Sequence, residues 1–294
     1  MTDDRSSRSK RLRTSPLFRK AMFLLRYLTQ LREWYIIAEL RRLLKGTHPR
    51  TMLDAGCGYG EYTYFIASRY PAVRVTGLEV DGGLAADLAE FAGKDGLKNV
   101  TVVRGDVLGL DGKERYDLAL CGSVLEHIER DQEALDRLSA SLRPGGVMLV
   151  YVPIVPRRIT PHFKRLEARG RVAGWDHFGH VQSYTGPDLS EKIRRAGLVV
   201  RKSVKTYGFF GALAYEILYT FLPHSSRFSR KHWLLLPPYF LLLHPLVLAL
   251  MYVDLHRRNP WGNGLMVVAE KPGREGAGKA GRPGIRPGGD ASRA

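Results

Sequence analysis

Acidic residues end three of the apolar runs in this chain, and together with nearby glycines they are the residue types of a site for a nucleotide-like ligand. The acids are Asp54, Glu79 and Asp106. A carboxylate can accept hydrogen bonds from both hydroxyls of a ribose. The turn after the first acid has glycine at every second position: Gly56, Gly58 and Gly60. Glycine lets the chain reverse tightly and lets a ligand approach the backbone, so we expect the ligand to lie against this turn.

The spacing of these residues argues against a nicotinamide or flavin dinucleotide. The dinucleotide pattern has its third glycine one position later, where this chain has Glu61. Glu79 follows Gly56 by 23 residues, which is close to the spacing of a ribose-binding acid in a strand–helix–strand nucleotide site. Asp81 is the neighbouring acid that could be mistaken for Glu79.

Two histidines are candidates for catalysis. A neutral imidazole can take a proton from a hydroxyl near pH 7, so His180 is a candidate general base. His127, which follows Glu126 after another apolar run, either shares this role or packs beneath the site. His177 and His180 lie three positions apart, but no acid or cysteine completes a ligand set with them, so we predict no metal ion.

These residues require strands that end at one edge of a sheet, with helices between them. Apolar runs of strand length alternate with segments of helical spacing, which predicts an α/β protein. The predicted strands are Thr51–Asp54, Val73–Glu79, Val100–Val107, Tyr116–Cys121, Val147–Val152, Leu198–Val204 and Gly264–Glu270.

The segment LDAGCGYG at residues 53–60, followed by these acids in order, resembles the class I S-adenosylmethionine-dependent methyltransferases, in particular their type 11-like branch. The resemblance covers roughly residues 50–205 and the last predicted strand. It implies a doubly wound, seven-stranded Rossmann-like methyltransferase sheet. An amphipathic helix precedes this sheet, and an apolar helical insertion separates its last two strands.

The resemblance also implies S-adenosyl-L-methionine as the cofactor and assigns residues to it. Glu79 would bind the ribose, Asp106 the adenine amino group, and the backbone N–H of Val107 a ring nitrogen. The glycine turn and the end of the fourth strand would hold the remainder of the cofactor, through Asp54, Gly56, Cys57, Gly58, Gly60 and Cys121. The aromatic and histidine segment around His180 would cover the methyl acceptor.

The chain divides into a central domain with appendages. The predicted parts are a disordered basic N-terminus (1–15), an amphipathic helix (16–45), the methyltransferase domain (46–206), the insertion (207–258), the last strand (259–271) and a disordered tail (272–294). The helix at 16–45 either covers the domain as a lid or lies on lipid head groups.

The insertion is predicted to associate with a membrane without crossing it. Its two apolar segments are too short to span the hydrocarbon core, and both of its ends must return to the same sheet. A basic loop between the segments would also be carried to the wrong side by a two-helix crossing. The alternatives are an apolar lid over the acceptor pocket and a dimer interface.

Charge and cysteine content limit the kinds of partner and the cellular compartment that we expect for the chain. The formal net charge is +17, and the basic residues flank an acidic central part. This pattern favours an anionic membrane surface over nucleic acid, since the aromatic spacing of a base-stacking surface is missing. Two cysteines give no disulfide framework, which favours a reducing compartment. The oligomeric state is left open.

We therefore expect a methyltransferase that O-methylates a hydrophobic or lipid-linked acceptor. It would be cytoplasmic, and peripheral or monotopic on the inner face of the membrane. The alternatives are a soluble small-molecule or nucleic-acid methyltransferase with a lid, and a non-catalytic binding protein of the same fold.

Overall fold

Seven strands form one sheet in the order β3-β2-β1-β4-β5-β7-β6, which confirms the predicted α/β fold. The computed structural model describes residues 14–170, 179–221 and 237–273 of the 294. Strand β7 is antiparallel to β5 and β6, and the other pairs are parallel. The strands are β1 (Thr51–Ala55), β2 (Arg74–Glu79), β3 (Val100–Arg104), β4 (Tyr116–Gly122), β5 (Leu142–Pro153), β6 (Val199–Thr206) and β7 (Gly264–Glu270).

Helices lie between the strands. They are α1 (Pro16–Thr29), α2 (Leu31–Thr47), α3 (Glu61–Arg69), α4 (Gly82–Lys94), α5 (Asp131–Ser141), α6 (Pro161–Ala168), α7 (Gly186–Arg195), α8 (Phe209–Phe221) and α9 (His244–His256). Short 3₁₀ turns follow β3 and β4, at Val107–Gly109 and Leu125–His127, and a π-helical segment, Tyr239–Leu243, leads into α9.

Both faces of the sheet are covered by a hydrophobic core, as the period of a strand requires. On one face, side chains of α2, α3, α8 and α9 pack on alternate strand residues such as Met52 and Leu120. On the other face, α5 and α7 pack on Leu53 and Cys121. The predicted insertion therefore supplies part of one core layer, through residues of α8 and α9.

The N-terminal segment forms two helices where the sequence predicts one. Gln30 has φ −118° and ψ 105°, an extended conformation that separates α1 from α2. Its side chain donates a hydrogen bond from Nε2 to the Tyr219 hydroxyl, at 2.5 Å. This contact joins the break to the insertion and lets α2 lie on the sheet in its own orientation.

The break also divides the apolar stripe that helical spacing predicts along residues 16–45, which includes Leu17, Leu24, Leu31 and Tyr35 and has Arg19 on the opposite face. Leu31 and Tyr35 of α2 are buried in the core, whereas Leu17 and Leu24 of α1 are 81% and 59% exposed. Arg19 shares the helix face that the sequence assigns to water, yet it is buried with its guanidinium carbon 5.1 Å from the centre of the Phe91 ring. One helical periodicity cannot be continued from α1 into α2, because the break lets each helix have its own rotation about its axis.

A buried carboxylate fixes the insertion to the domain. Asp254 of α9 is fully buried and accepts hydrogen bonds from the Tyr35 hydroxyl of α2 at 2.7 Å and from the Gly211 N–H of α8 at 2.8 Å. Asn259 donates to the same carboxylate at 3.2 Å. The apolar segments of the insertion are thus bound to one another and to the sheet through polar contacts.

Among the helices that the structure describes, one is long and apolar enough to cross a membrane. It is Tyr239–His256, with 18 residues, a mean hydropathy of 1.5 and 28% of its residues buried. The sequence predicts an apolar helix of only residues 240–253 here, and the prediction that both segments are too short to span is wrong for this one, because the helix extends from Tyr239 to His256. Core helices meet the same criteria, so length and composition alone do not place the segment in lipid. The predicted basic loop of the insertion, and most of the predicted disordered ends, lie outside the described residues.

Candidate active site

The glycine turn after β1 is held in place by its backbone. The N–H groups of Gly56 and Cys57 both donate to the carbonyl of Leu78, at 2.8 and 3.0 Å. A Cβ at Gly56 would lie 2.3 Å from the Val124 side chain, and one at Gly60 would lie 2.3 Å from the Leu88 side chain. Both positions also have positive φ, so other residues would be strained and would collide there.

The middle glycine faces open space. Gly58 has positive φ, and a Cβ built on it meets no atom within 4 Å. Its N–H donates to Glu79 Oε2 at 2.8 Å, which places the Glu79 carboxylate directly beside the turn. The predicted ribose-binding acid and the predicted ligand-facing turn therefore lie together in the structure.

Glu79, the last residue of β2, and Asp81, two positions later, make different contacts. Glu79 is 8% exposed, and its Oε1 also accepts the N–H of Asp81 at 3.0 Å. The Asp81 carboxylate caps α4 by accepting the N–H groups of Gly83 and Leu84, at 2.7 and 3.0 Å. An Asp at the N-cap, directly before the first helical residue, commonly has this role. Asp81 is thus engaged in helix capping, and Glu79 is the acid beside the glycine turn.

Asp106 lies at the end of the adjacent strand, where its side chain is exposed. Its Oδ1 accepts the N–H of Leu108 at 2.9 Å and begins the 3₁₀ turn after β3. Val107 is buried in that turn. Because β2 and β3 are parallel neighbours, Asp106 and Glu79 lie at the same edge of the sheet.

Asp54, Cys57 and Cys121 are predicted cofactor residues whose side chains lie in the core. Asp54 is 2% exposed and accepts a hydrogen bond from the Thr63 hydroxyl at 2.7 Å. Burial raises the pKa of Asp54 to about 7. Cys57 and Cys121 are buried in the core, and burial raises the pKa of both thiols. Asp54 thus supports the glycine turn from below, and the two cysteines face a ligand only through their backbone.

A cavity of about 520 Å³ opens at the carboxyl ends of β4 and β5. We call it the arginine–tyrosine pocket, after six of the side chains that line it: Arg26, Arg32, Arg158, Tyr207, Tyr215 and Tyr219. Arg26 of α1 and Arg32 of α2 lie on either side of the break, and the insertion supplies the three tyrosines. The pocket also includes Ser123 and Glu126, which directly follow β4. It therefore adjoins the strand ends that carry the glycine turn.

Arg32 is the residue around which this pocket is built. Its guanidinium donates to the Ser123 hydroxyl at 3.0 Å, and its backbone N–H donates to the Tyr207 hydroxyl at 2.9 Å. Ser123 and Tyr207 both have positive φ, 58° and 53°, which is uncommon outside glycine. Backbone strain of this kind is often found at functional sites.

Each arginine of the pocket is paired with a carboxylate behind it. Arg26 and Arg32 both contact Glu33 Oε1, at 3.3 and 3.2 Å, and Arg26 also contacts Glu61 at 2.6 Å. Glu61 starts α3 next to the glycine turn, so Arg26 connects the pocket with the turn. The Arg158 pair is formed with Glu167 of α6.

The two candidate catalytic histidines lie side by side in the wall of the pocket. The ring centres of His127 and His180 are 5.2 Å apart. His127 Nε2 lies 3.9 Å from Oε1 of Glu126, and its Nδ1 lies 3.2 Å from the carbonyl oxygen of Gly179. Burial and the nearby His127 lower the pKa of His180, which favours a neutral ring. The third histidine of the sequence prediction, His177, lies outside the described residues.

Burial also affects the acid of this group. Glu126 is 1% exposed, and burial raises its pKa to about 7, although Arg32 and the Ser123 hydroxyl act in the opposite direction.

His127 and His180 lie 53 residues apart in the sequence, and the backbone carbonyl of Glu126 holds the segment that carries His180 next to His127. It accepts the N–H groups of Val181 and Gln182, at 2.8 and 3.1 Å.

Sequence reasoning identifies the acids and histidines but not the arginines and tyrosines of the pocket. Arg26 and Arg32 interrupt an apolar run, and this interruption is the signal in the sequence that could have identified them. The tyrosines belong to an apolar stretch that the sequence assigns to lipid contact. Their position in the pocket depends on the packing of α8 against α2, which no local pattern encodes.

Comparisons with known proteins agree with the fold. Residues 52–146 match a family of methyltransferase domains. Trans-aconitate 2-methyltransferase of Deinococcus radiodurans is 34% identical over 115 residues, which are 39% of this chain and 42% of that protein. A probable (S)-tetrahydroprotoberberine N-methyltransferase of Papaver bracteatum is 32% identical over 101 residues, 34% of this chain and 28% of that one. The chain thus spans less than half the length of these relatives.

Solved structures extend the similarity of the fold over most of the chain. A putative sarcosine dimethylglycine methyltransferase from Galdieria sulphuraria has a TM-score of 0.53 at 17% identity, covering 82% of this chain and 85% of that one. Phosphoethanolamine N-methyltransferase 2 of Haemonchus contortus, with phosphomonomethylethanolamine and S-adenosylhomocysteine bound, has a TM-score of 0.53 at 20% identity and covers 80% of this chain and 52% of that one. With the strand order, the family match shows that residues 52–146 carry a methyltransferase domain of the class I, S-adenosylmethionine-dependent type, and the solved structures show its fold over most of the chain.

Proposed function

We propose that this chain transfers the methyl group of S-adenosylmethionine to a small-molecule acceptor bound in the arginine–tyrosine pocket. The observation that carries the proposal is the shared edge of the sheet. The glycine turn and Glu79 lie at the carboxyl ends of β1 and β2, and the pocket opens at those of β4 and β5. A nucleophile in the pocket would displace the sulfonium methyl group and leave S-adenosylhomocysteine. The main contribution of the protein would be to align the two reactants.

The structure supports a division of roles at the cofactor. Gly58, with an open face, and Glu79, with its carboxylate beside the turn, suit the ribose and the methionine portion. Asp106 and the Val107 backbone suit the adenine, because they lie at the adjacent strand end. Asp54 and the two cysteines would act on the cofactor only through the shape of the backbone. Residues of this chain thereby bind and orient the cofactor, which supplies the reactive methyl group.

His180 and His127 are proposed to assist the loss of a proton from the acceptor. Both line the pocket, and the neutral ring of His180 has the protonation state that this role requires. The relatives are named for trans-aconitate and for (S)-tetrahydroprotoberberine, both small molecules. A pocket of about 520 Å³ also has the volume of a small-molecule site.

A second proposal concerns the location of the enzyme at a membrane. Large apolar side chains on α1 and on the Tyr239–His256 helix face water: Leu17, Leu24, Leu241 and Leu242 are between 59% and 81% exposed. We infer that these surfaces dip into one leaflet of an anionic membrane, at its inner face, and that the acceptor is hydrophobic or lipid-linked. Apolar burial would supply most of the binding, and the basic flanks would add to it.

Isotope transfer tests the activity. The protein is incubated with methyl-deuterated S-adenosylmethionine and with separate aqueous and lipid extracts of the source cells, and mass spectrometry identifies labelled products. We expect one labelled product. An aqueous product supports the small-molecule acceptor alone, and a lipid product also supports the membrane proposal. If the protein binds the cofactor but labels nothing in either extract, it is a binding protein and the proposed activity is wrong.

A further inference from the structure

We propose that Glu126, His127 and His180 bind a divalent transition-metal ion of the zinc class in the wall of the arginine–tyrosine pocket. One ligand atom from each of the three side chains lies within 4.8 Å of the others. Two histidines and one carboxylate form a common catalytic ligand set, and they leave coordination positions open for a substrate. The sequence does not reveal this set, because the acid that completes it lies beside His127 and far along the chain from His180.

The distances suit two ligands of one ion better than a hydrogen bond. Glu126 Oε1 and His127 Nε2 are 3.9 Å apart, which is too long for a hydrogen bond. With metal–ligand bonds of about 2.0–2.2 Å, two donor atoms on one ion lie about 3–4 Å apart. The side chain of His127 is 44% exposed, so its ring has room for a small rotation on binding an ion.

One carboxylate oxygen of Glu126 lacks a partner within the described part of the pocket wall. Glu126 is 1% exposed and lines the pocket, and its Oε2 has no hydrogen-bond partner among the described residues. A buried charged oxygen without a partner is costly. A bound cation would compensate this cost.

The surroundings orient the histidines as they do at known metal sites. The Nδ1 of His127 lies 3.2 Å from the Gly179 carbonyl oxygen, so a proton on Nδ1 would be donated to that carbonyl and Nε2 would be left with a lone pair. The segment that carries His180 is fixed to Glu126 by the N–H groups of Val181 and Gln182. The three ligands are therefore held by backbone contacts that do not need the ion.

The role of the ion in methyl transfer rests on the proposed function, whereas its binding does not. An alcohol or phenol bound to the ion would lose its proton to bulk water, because the ion stabilises the resulting oxyanion. The oxygen would form a bond to the methyl carbon as the carbon–sulfur bond breaks, with both electrons of that bond remaining on sulfur. The products are a methyl ether and S-adenosylhomocysteine. The inference thus names a hydroxyl compound as the acceptor class.

Metal binding can be measured without an acceptor. Chelator-treated full-length protein is titrated with Zn²⁺ by calorimetry and with Co²⁺ by visible absorption, and thermal melting checks folding. We expect one ion per chain. Glu126→Gln and His180→Ala should each weaken binding by at least about 10-fold, the lower end of what loss of a ligand's supporting contacts costs. His162→Ala, which alters an exposed histidine of α6, is the matched control and should leave the affinity unchanged.

Two results would overturn the inference. One is folded wild-type protein that binds neither ion, and the other is binding that the cluster variants leave unchanged. Cofactor affinity measured on the same samples separates this failure from failure of the proposed function. A protein that binds S-adenosylmethionine but no metal keeps the proposed function, with the histidines acting on the proton directly.

Discussion

Asp54 shows how burial at a single residue couples the cofactor turn to pH. Its carboxyl is 2% exposed, and burial raises its pKa from 3.8 to about 7, against the hydrogen bond from Thr63. Between these two values the unfolded chain releases its proton while the folded chain retains it. The contribution of Asp54 to the free energy of unfolding therefore falls as the pH rises across this range.

We predict that Asp54→Asn removes this decrease in the free energy of unfolding with rising pH. In cofactor-free wild-type protein, the contribution of Asp54 to the free energy of unfolding should fall by a few kcal/mol between pH 4 and pH 7, since each pKa unit corresponds to about 1.4 kcal/mol. The amide of the variant does not titrate. Urea unfolding at pH 5 and pH 8 should show a smaller decrease for the variant. An equal decrease in both proteins would contradict the buried position of this carboxyl.

The two pocket histidines give a second prediction at this scale. His180→Ala and His127→Ala should each lower turnover by about 10²–10⁴, the usual contribution of a group that assists proton transfer, with cofactor affinity nearly unchanged. The exposed His162→Ala variant is the control and should retain full turnover. If His180→Ala and His127→Ala both kept full activity, the alignment of the two reactants alone would account for the catalysis.

At the scale of elements, the Asp254 carboxylate is one of the polar contacts that join the insertion to the methyltransferase domain. Asp254 links α9 to α2 and α8, and it is fully buried. Because α8 carries Tyr215 and Tyr219, the position of this carboxylate also sets the shape of the pocket. The insertion therefore acts as part of the site and of the core, whether or not it also contacts lipid.

We predict that Asp254→Ala lowers the free energy of unfolding by on the order of 3 kcal/mol, because it leaves several buried donors unpaired. Tyr35→Phe removes one of these hydrogen bonds and should cost about 1 kcal/mol. Tyr252→Phe, at a ring that is 58% exposed, is the control. Urea unfolding measures all three. Equal stability of Asp254→Ala and wild type would show that the insertion is held by its apolar contacts alone.

The strands and their terminal acids could be predicted from the sequence, because a short apolar run that ends in an acid or glycine is a local signal. The positions of Glu79 and Asp106 follow from such runs. The pocket could not be predicted, because Arg32, Ser123 and Tyr207 meet only in the folded chain. The break at Gln30 was also hidden, since neither proline nor glycine marks it.

At the scale of the whole molecule, charge and exposed apolar area are both unevenly distributed. The net charge is +17, with the acidic residues concentrated in the central domain. The exposed leucines lie on α1 and on the helix that leads into α9. Basic residues near exposed apolar side chains favour an anionic lipid surface.

We predict that the protein floats with vesicles that contain anionic phospholipid, and that Leu24→Glu combined with Leu241→Glu abolishes flotation. High salt alone should not release the wild type, because apolar burial supplies most of the binding. Val199→Glu changes a 40% exposed apolar residue at the sheet edge and serves as the control. A wild type that stays in solution with every vesicle composition would leave the small-molecule enzyme without a membrane role.

Calorimetric titration with S-adenosylmethionine tests the central claim most directly. The wild type should bind it, and Glu79→Ala should weaken binding by about 1–3 kcal/mol, since a charged hydrogen-bond partner beside the glycine turn is lost. Asp81→Asn removes the neighbouring charge but keeps the oxygen that caps α4, so its affinity should equal that of the wild type. A protein that binds NAD but not S-adenosylmethionine, or whose affinity depends on Asp81 and not on Glu79, would contradict the account.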